Sequence, residues 1–309
     1  MEYIKGLKKN VGLAKYTTYK IGGPADYFIS VKTAEELKKA RRFADENNLP
    51  VFILAGGSNV LFADDGFRGL VIKIDIGDVK IGGKIEAGAG IPMAELVSKS
   101  VEAGLKGIEW AGGLPGTLGG AVRGNAGCFG GEIKDIVGEV TTLNPAGEIK
   151  TYQNSECGFG YRDSVFKHNG EIILGAALNM RPGDKRALKE EVFEHIKYRQ
   201  MKHRIPSCGS VFKNVPVEKI SAAVALKFKD KIKTDPFPVM PVAALIAAAG
   251  LAGKTIGGAK ITEEHANVIV NFNNAKAADI LELINLAKEK VKKEFGVDLI
   301  EEVQLVGFD

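Results

Sequence analysis

The chain of 309 residues is longer than one hydrophobic core usually grows, since cores stop expanding at roughly 250 to 300 residues, so two or three domains are expected. Hydrophobic residues at 45% and charged residues at 26% give the balance of a globular protein, which excludes a disordered or fibrous chain. Lys and Arg number 42 against 38 Asp and Glu, and the net charge of +4 is spread without a basic block, so nucleic acid is not an expected partner while local cations remain available for phosphates and carboxylates.

The amino-terminal MEYIKGLKKN lacks a secretory apolar stretch, so a cytoplasmic location is expected. Thr33-Ala34-Glu35-Glu36 reads as a capping box, with Thr33 accepting from the Glu36 backbone and Glu36 reaching back to Thr33. Leu37, Ala40 and Ala44 follow at helical spacing, and Asn47-Asn48-Leu49-Pro50 ends the helix. The apolar run 51–54 and the stretch 69–74 are expected as strands of a β-α-β unit. Between them, Ala55-Gly56-Gly57-Ser58-Asn59 follows directly on a buried strand, where successive backbone N–H groups can form an anion-binding nest.

Residues 84–87 are expected as a strand, followed by a helix with Pro92 in its first turn and Gly104 as its stop. From Trp110 to Gly131, nine of 22 residues are glycine. Two loops this rich in glycine favour a bound dinucleotide over tight turns packed together, because glycine lets backbone lie against a ligand. Strands at 137–143 and 149–152, joined by Asn144-Pro-Ala-Gly-Glu148, make a hairpin, and 171–180 supplies a further strand. Tyr161-Arg162-Asp163-Ser164 then offers a forked, permanently charged guanidinium suited to a carboxylate or enolate, although a surface ion pair is the default for an isolated arginine.

A helix is expected from Lys185 to about His203. Ser207-Cys208-Gly209-Ser210 places a thiol and hydroxyls beside a glycine, and either Cys208 or Ser210 could donate a proton; a buried turn fits the composition equally well. The nearly apolar stretch 239–253 is too short for the ~18 to 20 residues that span a bilayer and reads as a buried helix, so no membrane insertion is expected. A helix at 277–295 is closed by Gly296, and a last strand is expected at 297–306, with Glu301 and Glu302 on opposite faces.

No GxGxxG occurs, which argues against a Rossmann site, and Gly253-Lys254-Thr255 lacks the first glycine of a Walker loop. The cysteines Cys128, Cys157 and Cys208 form no CxxC pair. The histidines His168, His195, His203 and His265 lack zinc-ligand spacing, so no metal is expected.

Taken in order, TTYKIGGPADY from Thr17, AGGSNVLFADDGFRG from Ala55, GIEWAGGLPGTLGGAVRGNAG from Gly107, YRDSVF from Tyr161, CGSVFKN from Cys208, IGGAKITEEHANVIVN from Ile256 and the closing EEVQLVG resemble the UDP-N-acetylenolpyruvoylglucosamine reductase family nearly end to end. The resemblance is to the shorter family type, without a tyrosine-bearing loop over the substrate. It implies an α+β protein: a two-lobed FAD-binding part of the vanillyl-alcohol-oxidase/PCMH type, with lobes at 1–80 and 81–184, and a substrate-binding α+β domain at 185–309.

By the same resemblance NADPH is the reductant and a UDP-sugar the substrate, and a monomer is expected. FAD would be held by Thr18, Gly22, Gly23, Gly56, Gly57, Ser58, Asn59, Gly116, Thr117, Gly120, Asn125, Ala126 and Gly127. Arg162 would stabilise an enolic intermediate, Ser210 protonate it and Glu302 assist, while Tyr161, Lys213, Asn214 and His265 would line the substrate site. One basic residue among Arg199, Lys202 and Arg204 is expected to contact substrate. The chain departs from the family in a long segment between Asn214 and Ala243, expected to reshape the substrate entrance, and in LIEEV where LEPEV is usual. Two other readings are another FAD enzyme of the same general fold, such as an alcohol or sugar oxidase, and a nucleotide-sugar binding protein that has lost its flavin.

Overall fold

The computed structural model describes residues 4–202, 204–234 and 237–308, which fall into two compact units. The first comprises Met1–Val11, Ala25–Gly57 and Arg68–Met201; the second comprises Gly12–Pro24, Ser58–Phe67 and Lys202–Asp309. Two short pieces of the amino-terminal half therefore fold with the carboxy-terminal third. No helix among the described residues is long and apolar enough to cross a membrane.

In the first unit, strands Lys8–Gly12, Pro24–Val31, Phe67–Ile74 and Val51–Leu54 hydrogen-bond in that order, and Val51–Leu54 runs parallel to Phe67–Ile74. Helix α1 (Ala34–Glu46) turns Leu37, Ala40, Phe43 and Ala44 inward. Its Thr33 cap is present, with the Glu36 N–H donating to Thr33 Oγ1 at 3.1 Å, but the expected reciprocal bond goes elsewhere. The Glu36 carboxylate accepts from the Lys32 N–H at 2.6 Å, one residue beyond the position expected.

The second sheet of this unit is antiparallel and orders strands Ile149–Gln153, Val137–Leu143, Ile172–Leu178, Ile85–Gly88 and Val79–Ile81. Helix α2 (Met93–Glu102) starts from Pro92 as its cap rather than within its first turn, and Gly104, left-handed at φ +72°, follows its end. The glycine-rich stretch holds a short helix α3 (Leu118–Arg123). Helix α4 (Lys185–Lys202) completes the unit, and His203 lies outside the described residues.

The second unit contains α5 (Ala222–Lys227), α6 (Val242–Ala248) and α7 (Ala277–Phe295). Helix α7 buries Ala277, Ile280, Leu283, Ile284, Ala287, Val291 and Phe295 along one stripe and ends at Gly296 in the left-handed conformation, as the sequence predicts. The expected strand at 297–306 is overturned. Only Gln304–Val306 is a strand, parallel to Val60–Phe62, while 297–303 is irregular chain whose Val297, Leu299 and Val303 are buried. Its backbone groups serve other segments one at a time, so no continuous ladder forms.

Lys276, which precedes α7, has no side-chain acceptor to offer, and Asp279 of the first turn accepts from the Lys276 N–H at 3.0 Å and not from the first N–H groups of the helix itself. Asp64, distant in sequence, fills that role: its carboxylate accepts from the N–H groups of Ala277 at 2.8 Å and Ala278 at 3.0 Å. A carboxylate here satisfies two end donors and meets the positive end of the helix dipole. Asp64→Ala is expected to lower stability by ~1 kcal/mol, seen as a reduced urea midpoint with an unchanged far-UV circular dichroism spectrum.

Candidate active site

In the first unit the two glycine-rich loops meet. A Cβ on Gly56 would lie 2.4 Å from Gly116 Cα, so only glycine permits this approach, and Gly116 itself takes φ +104°. Thr117 occupies the cap position of α3, but its hydroxyl makes no capping bond; it is sealed from solvent and has no hydrogen-bond partner. Gly120 packs on Ala55, and the Ala126 N–H closes onto Ala121 O at 2.8 Å.

Asn125 is fully buried and its amide is committed internally. Its Nδ2 donates to Gly160 O at 2.9 Å and to Glu132 Oε2 at 3.3 Å, and its Oδ1 accepts from the Lys134 N–H at 3.0 Å. The bond to Gly160 anchors a tight turn, Gly160 to Asp163, whose third residue is Arg162. Arg162 takes φ +53°, a left-handed conformation that costs a non-glycine residue roughly 1 to 2 kcal/mol and often marks functional positions. Its Nη2 donates to Gly127 O at 2.7 Å, its carbonyl accepts from Lys167 Nζ at 2.5 Å, and its guanidinium lies 5.4 Å from the centre of the Tyr161 ring.

Arg199 is also placed in this unit. Its Nε donates to Gly112 O at 2.9 Å and its Nη2 meets Cys128 Sγ at 2.6 Å. Arg204 is exposed, and the Lys202 side chain lies outside the described residues.

In the second unit, the segment carrying Ser210 is held on both sides. The Val211 N–H donates to Asn267 O at 2.8 Å, and the buried Asn267 amide exchanges bonds with Phe212 N–H and O at 3.0 and 2.8 Å. On the other side Glu302 N–H donates to Val211 O at 2.7 Å and Lys213 N–H to Ile300 O at 2.9 Å. The residues paired directly are Ser210 with Val268 and Phe212 with Glu301, and Glu302 is bonded through its N–H to Val211, the residue after Ser210. Asn59 fastens the same stretch, its Nδ2 donating to Glu302 O at 3.0 Å and its carbonyl accepting from Gln304 N–H at 3.1 Å. Glu301 turns its carboxylate to Lys288 of α7 at 2.7 Å.

The other expected residues of this unit are more dispersed. Asn214 Oδ1 accepts from the Val242 N–H at the start of α6, at 3.2 Å. His265 is exposed and lines a cavity of about 330 Å³ against Ala243, Ala244 and Ala247. Gly23 has a packing reason, since a Cβ there would lie 2.0 Å from Asp64 O, and a Cβ on Gly22 would lie 3.0 Å from Phe62 Cβ. Thr18 Oγ1 is buried without a hydrogen-bond partner. Among the described residues no group of three or more His, Cys, Asp and Glu is arranged to hold a metal ion.

The chain is 38% identical to the UDP-N-acetylenolpyruvoylglucosamine reductases of Carboxydothermus hydrogenoformans and Lactobacillus johnsonii, covering 97% of this chain and 93% and 95% of theirs. It belongs to the UDP-N-acetylenolpyruvoylglucosamine reductase family. The C-terminal domain of that reductase family matches residues 199–306, and a family described as FAD binding domain matches 25–153. The crystal structure of the reductase from Thermus caldophilus superposes with a TM-score of 0.75 at 32% identity, covering 96% of this chain and 97% of that one.

The residues present fit the FAD that membership of the reductase family implies. A buried hydroxyl left without a partner costs ~1 to 3 kcal/mol, and Thr117 and Thr18 each carry one within a glycine-bearing motif. Asn125 fits a supporting role for Arg162 better than direct contact with the cofactor, because its amide is already committed. Sequence reasoning did not single out Asn267, whose signal was an amide between the apolar residues Ala266 and Val268.

Burial pushes the Cys208 thiol up to about 12, with the nearby Glu302 charge acting in the same direction, so it stays protonated through neutral and mildly alkaline pH. Iodoacetamide at pH 8 is therefore expected to leave Cys208 unmodified in the folded protein and to alkylate it once the chain is unfolded in guanidinium, as peptide mass spectrometry would show. Gly56→Val is expected to part the two loops and abolish flavin retention while far-UV circular dichroism stays near normal. Full flavin content in that variant would remove the two loops from the cofactor site.

Proposed function

We propose that the chain is an FAD-dependent reductase that uses NADPH to reduce the enolpyruvyl group of UDP-N-acetylglucosamine enolpyruvate, giving UDP-N-acetylmuramate for peptidoglycan precursor synthesis. End-to-end identity to named reductases of this activity carries the reading. The buried, unpartnered Thr117 hydroxyl beside the close-packed glycine loops supports it from the structure. FAD, when bound, relays hydride from NADPH to the substrate double bond.

What remains for the protein is charge and a proton. Addition of hydride to an enol ether conjugated with a carboxylate places negative charge on the carboxylate side, where a permanent cation is needed. Arg162 supplies it, and its left-handed turn, anchored through Asn125, fixes the guanidinium in advance. Tyr161, Lys213, Asn214 and His265 are assigned to binding the substrate, although the Asn214 carbonyl oxygen also serves α6.

Ser210 is assigned as the proton donor. Serine is a weak acid, so the assignment depends on a strongly basic acceptor and a fixed donor, and the double-sided backbone pairing around Val211 supplies the second condition. Glu302 is assigned to assist it, its backbone bonded to Val211 beside Ser210, and Glu301 is engaged by Lys288.

Stopped-flow absorbance separates the two halves of the reaction. In Ser210→Ala, bleaching of the flavin by NADPH is expected at nearly the normal rate, while recovery of colour on adding the enolpyruvyl substrate slows by ~10² to 10⁴-fold. Normal recovery would remove Ser210 from the proton transfer. Glu302→Gln is expected to slow the same recovery far more than Glu301→Gln; the reverse order would show that the carboxylate assignment is displaced by one residue.

A further inference from the structure

Glu132 is a carboxylate to which the reaction assigns no part, yet it is buried, with 9% of its surface exposed. A carboxylate withdrawn from water is costly unless paired, and its Oε2 meets Lys134 Nζ at 2.6 Å. Packing alone would be served by an apolar side chain, so a charge in this place calls for a reason.

The same Oε2 accepts from Asn125 Nδ2 at 3.3 Å. Nδ2 also donates to Gly160 O at 2.9 Å, and Asn125 Oδ1 accepts from the Lys134 N–H at 3.0 Å. Two acceptors at one end of the amide and a donor at the other allow only one orientation of it. In that orientation Asn125 spans from Glu132 to the first residue of the turn that presents Arg162, whose φ of +53° persists only where its surroundings determine it.

Glu132 also bears on the guanidinium end of Arg162. Arg162 Nη2 donates to Gly127 O at 2.7 Å, and Gly127 is the antiparallel strand partner of Glu132. The Glu132 side chain lies so close over Gly127 that a Cβ there would come 2.5 Å from Glu132 Cγ. Gly127 therefore leaves the room that Glu132 fills, and one residue underlies both the backbone support and the side-chain support of Arg162.

We propose that Glu132 is a positioning residue for the charge-stabilising step: its carboxylate, held by Lys134, orients the Asn125 amide, and Asn125 and Gly127 together hold Arg162 where charge develops on the substrate. It transfers no proton and acts only through those two neighbours. The inference rests on the assignment of Arg162 made above.

The test uses the flavin-loaded enzyme and the variants Glu132→Leu, Glu132→Gln and Asn125→Gly, the last chosen because Asn125 sits at φ +41°, which glycine accepts. Arg162→Lys is run beside them, and stopped-flow absorbance follows each half-reaction. Glu132→Leu is expected to keep full flavin content and the normal rate of bleaching by NADPH, and to slow colour recovery at saturating enolpyruvyl substrate by roughly 10- to 100-fold. Asn125→Gly should reproduce that loss, and the double variant should be little slower than either single one. Glu132→Gln should recover most of the rate, because an amide oxygen can still accept from Asn125. Normal recovery in Glu132→Leu or in Asn125→Gly would overturn the inference, as would equal slowing of the two half-reactions. If Glu132→Leu does not fold, an isosteric pair decides. Asn125→Asp sets two carboxylates against each other, and adding Glu132→Gln, whose amide can donate to the new carboxylate, should restore part of the recovery rate; no restoration would overturn the inference. Arg162→Lys separates the two levels: a normal recovery rate there refutes the assignment of Arg162, whereas slow Arg162→Lys beside normal Glu132→Leu and Asn125→Gly refutes only the role of Glu132.

Discussion

In the carboxy-terminal unit, the chain from Ser210 to Lys213 is gripped from both sides by backbone and by one buried amide. Asn267 uses its amide oxygen and its amide nitrogen on Phe212, and the irregular chain before the last strand uses the N–H of Glu302 on Val211. Buried polar groups of this kind are costly unless every bond is made, and here they are made to backbone, which fixes position more firmly than side chain to side chain. Ser210 and Glu302 inherit their placement from that lattice. Irregular chain at 297–303 is a condition of it, because a continuous ladder would have spent the same N–H groups on a neighbouring strand.

The first unit meets the equivalent demand with glycine and strain. Gly56 and Gly116 approach so closely that a single methyl group would collide, and the turn that presents Arg162 holds a non-glycine residue at φ +53°. Such a turn persists only when its surroundings determine it. Asn125 to Gly160, Arg162 to Gly127 and Lys167 to the Arg162 carbonyl are those surroundings. An arginine that must meet charge at a fixed place gains from being held before the charge develops, since no reorganisation is then needed at the moment of reaction.

Much of the architecture was legible because it obeys local rules. The period of apolar residues, Thr33 and the glycine at Gly296 marked α1 and α7, and the Asn144 to Glu148 turn marked its hairpin. The last strand was not legible: alternation of Val297, Leu299 and Val303 reports only that every second residue is buried, which irregular chain can satisfy when its backbone bonds to several different segments. The candidate site was legible as motifs and not as roles. Asn125 and Asn214 were expected at ligands, yet both amides serve the backbone; Asn267 and Asp64 were passed over because their partners are remote in sequence.

The segment after Asn214 shows the same principle. Val215–Pro216 pairs with Val239–Met240, and the ring of Phe228 meets Phe295 edge-on with centroids 5.5 Å apart. Lys227 lies over the Phe295 ring at 4.9 Å. This segment is thus fastened to the far end of α7, whose other end is capped by Asp64. A helix held at both ends is a firm base for Lys288, whose ammonium meets the Glu301 carboxylate at 2.7 Å. The ion pair of Glu301, invisible in the sequence EE, therefore rests on the packing of the helix that carries Lys288.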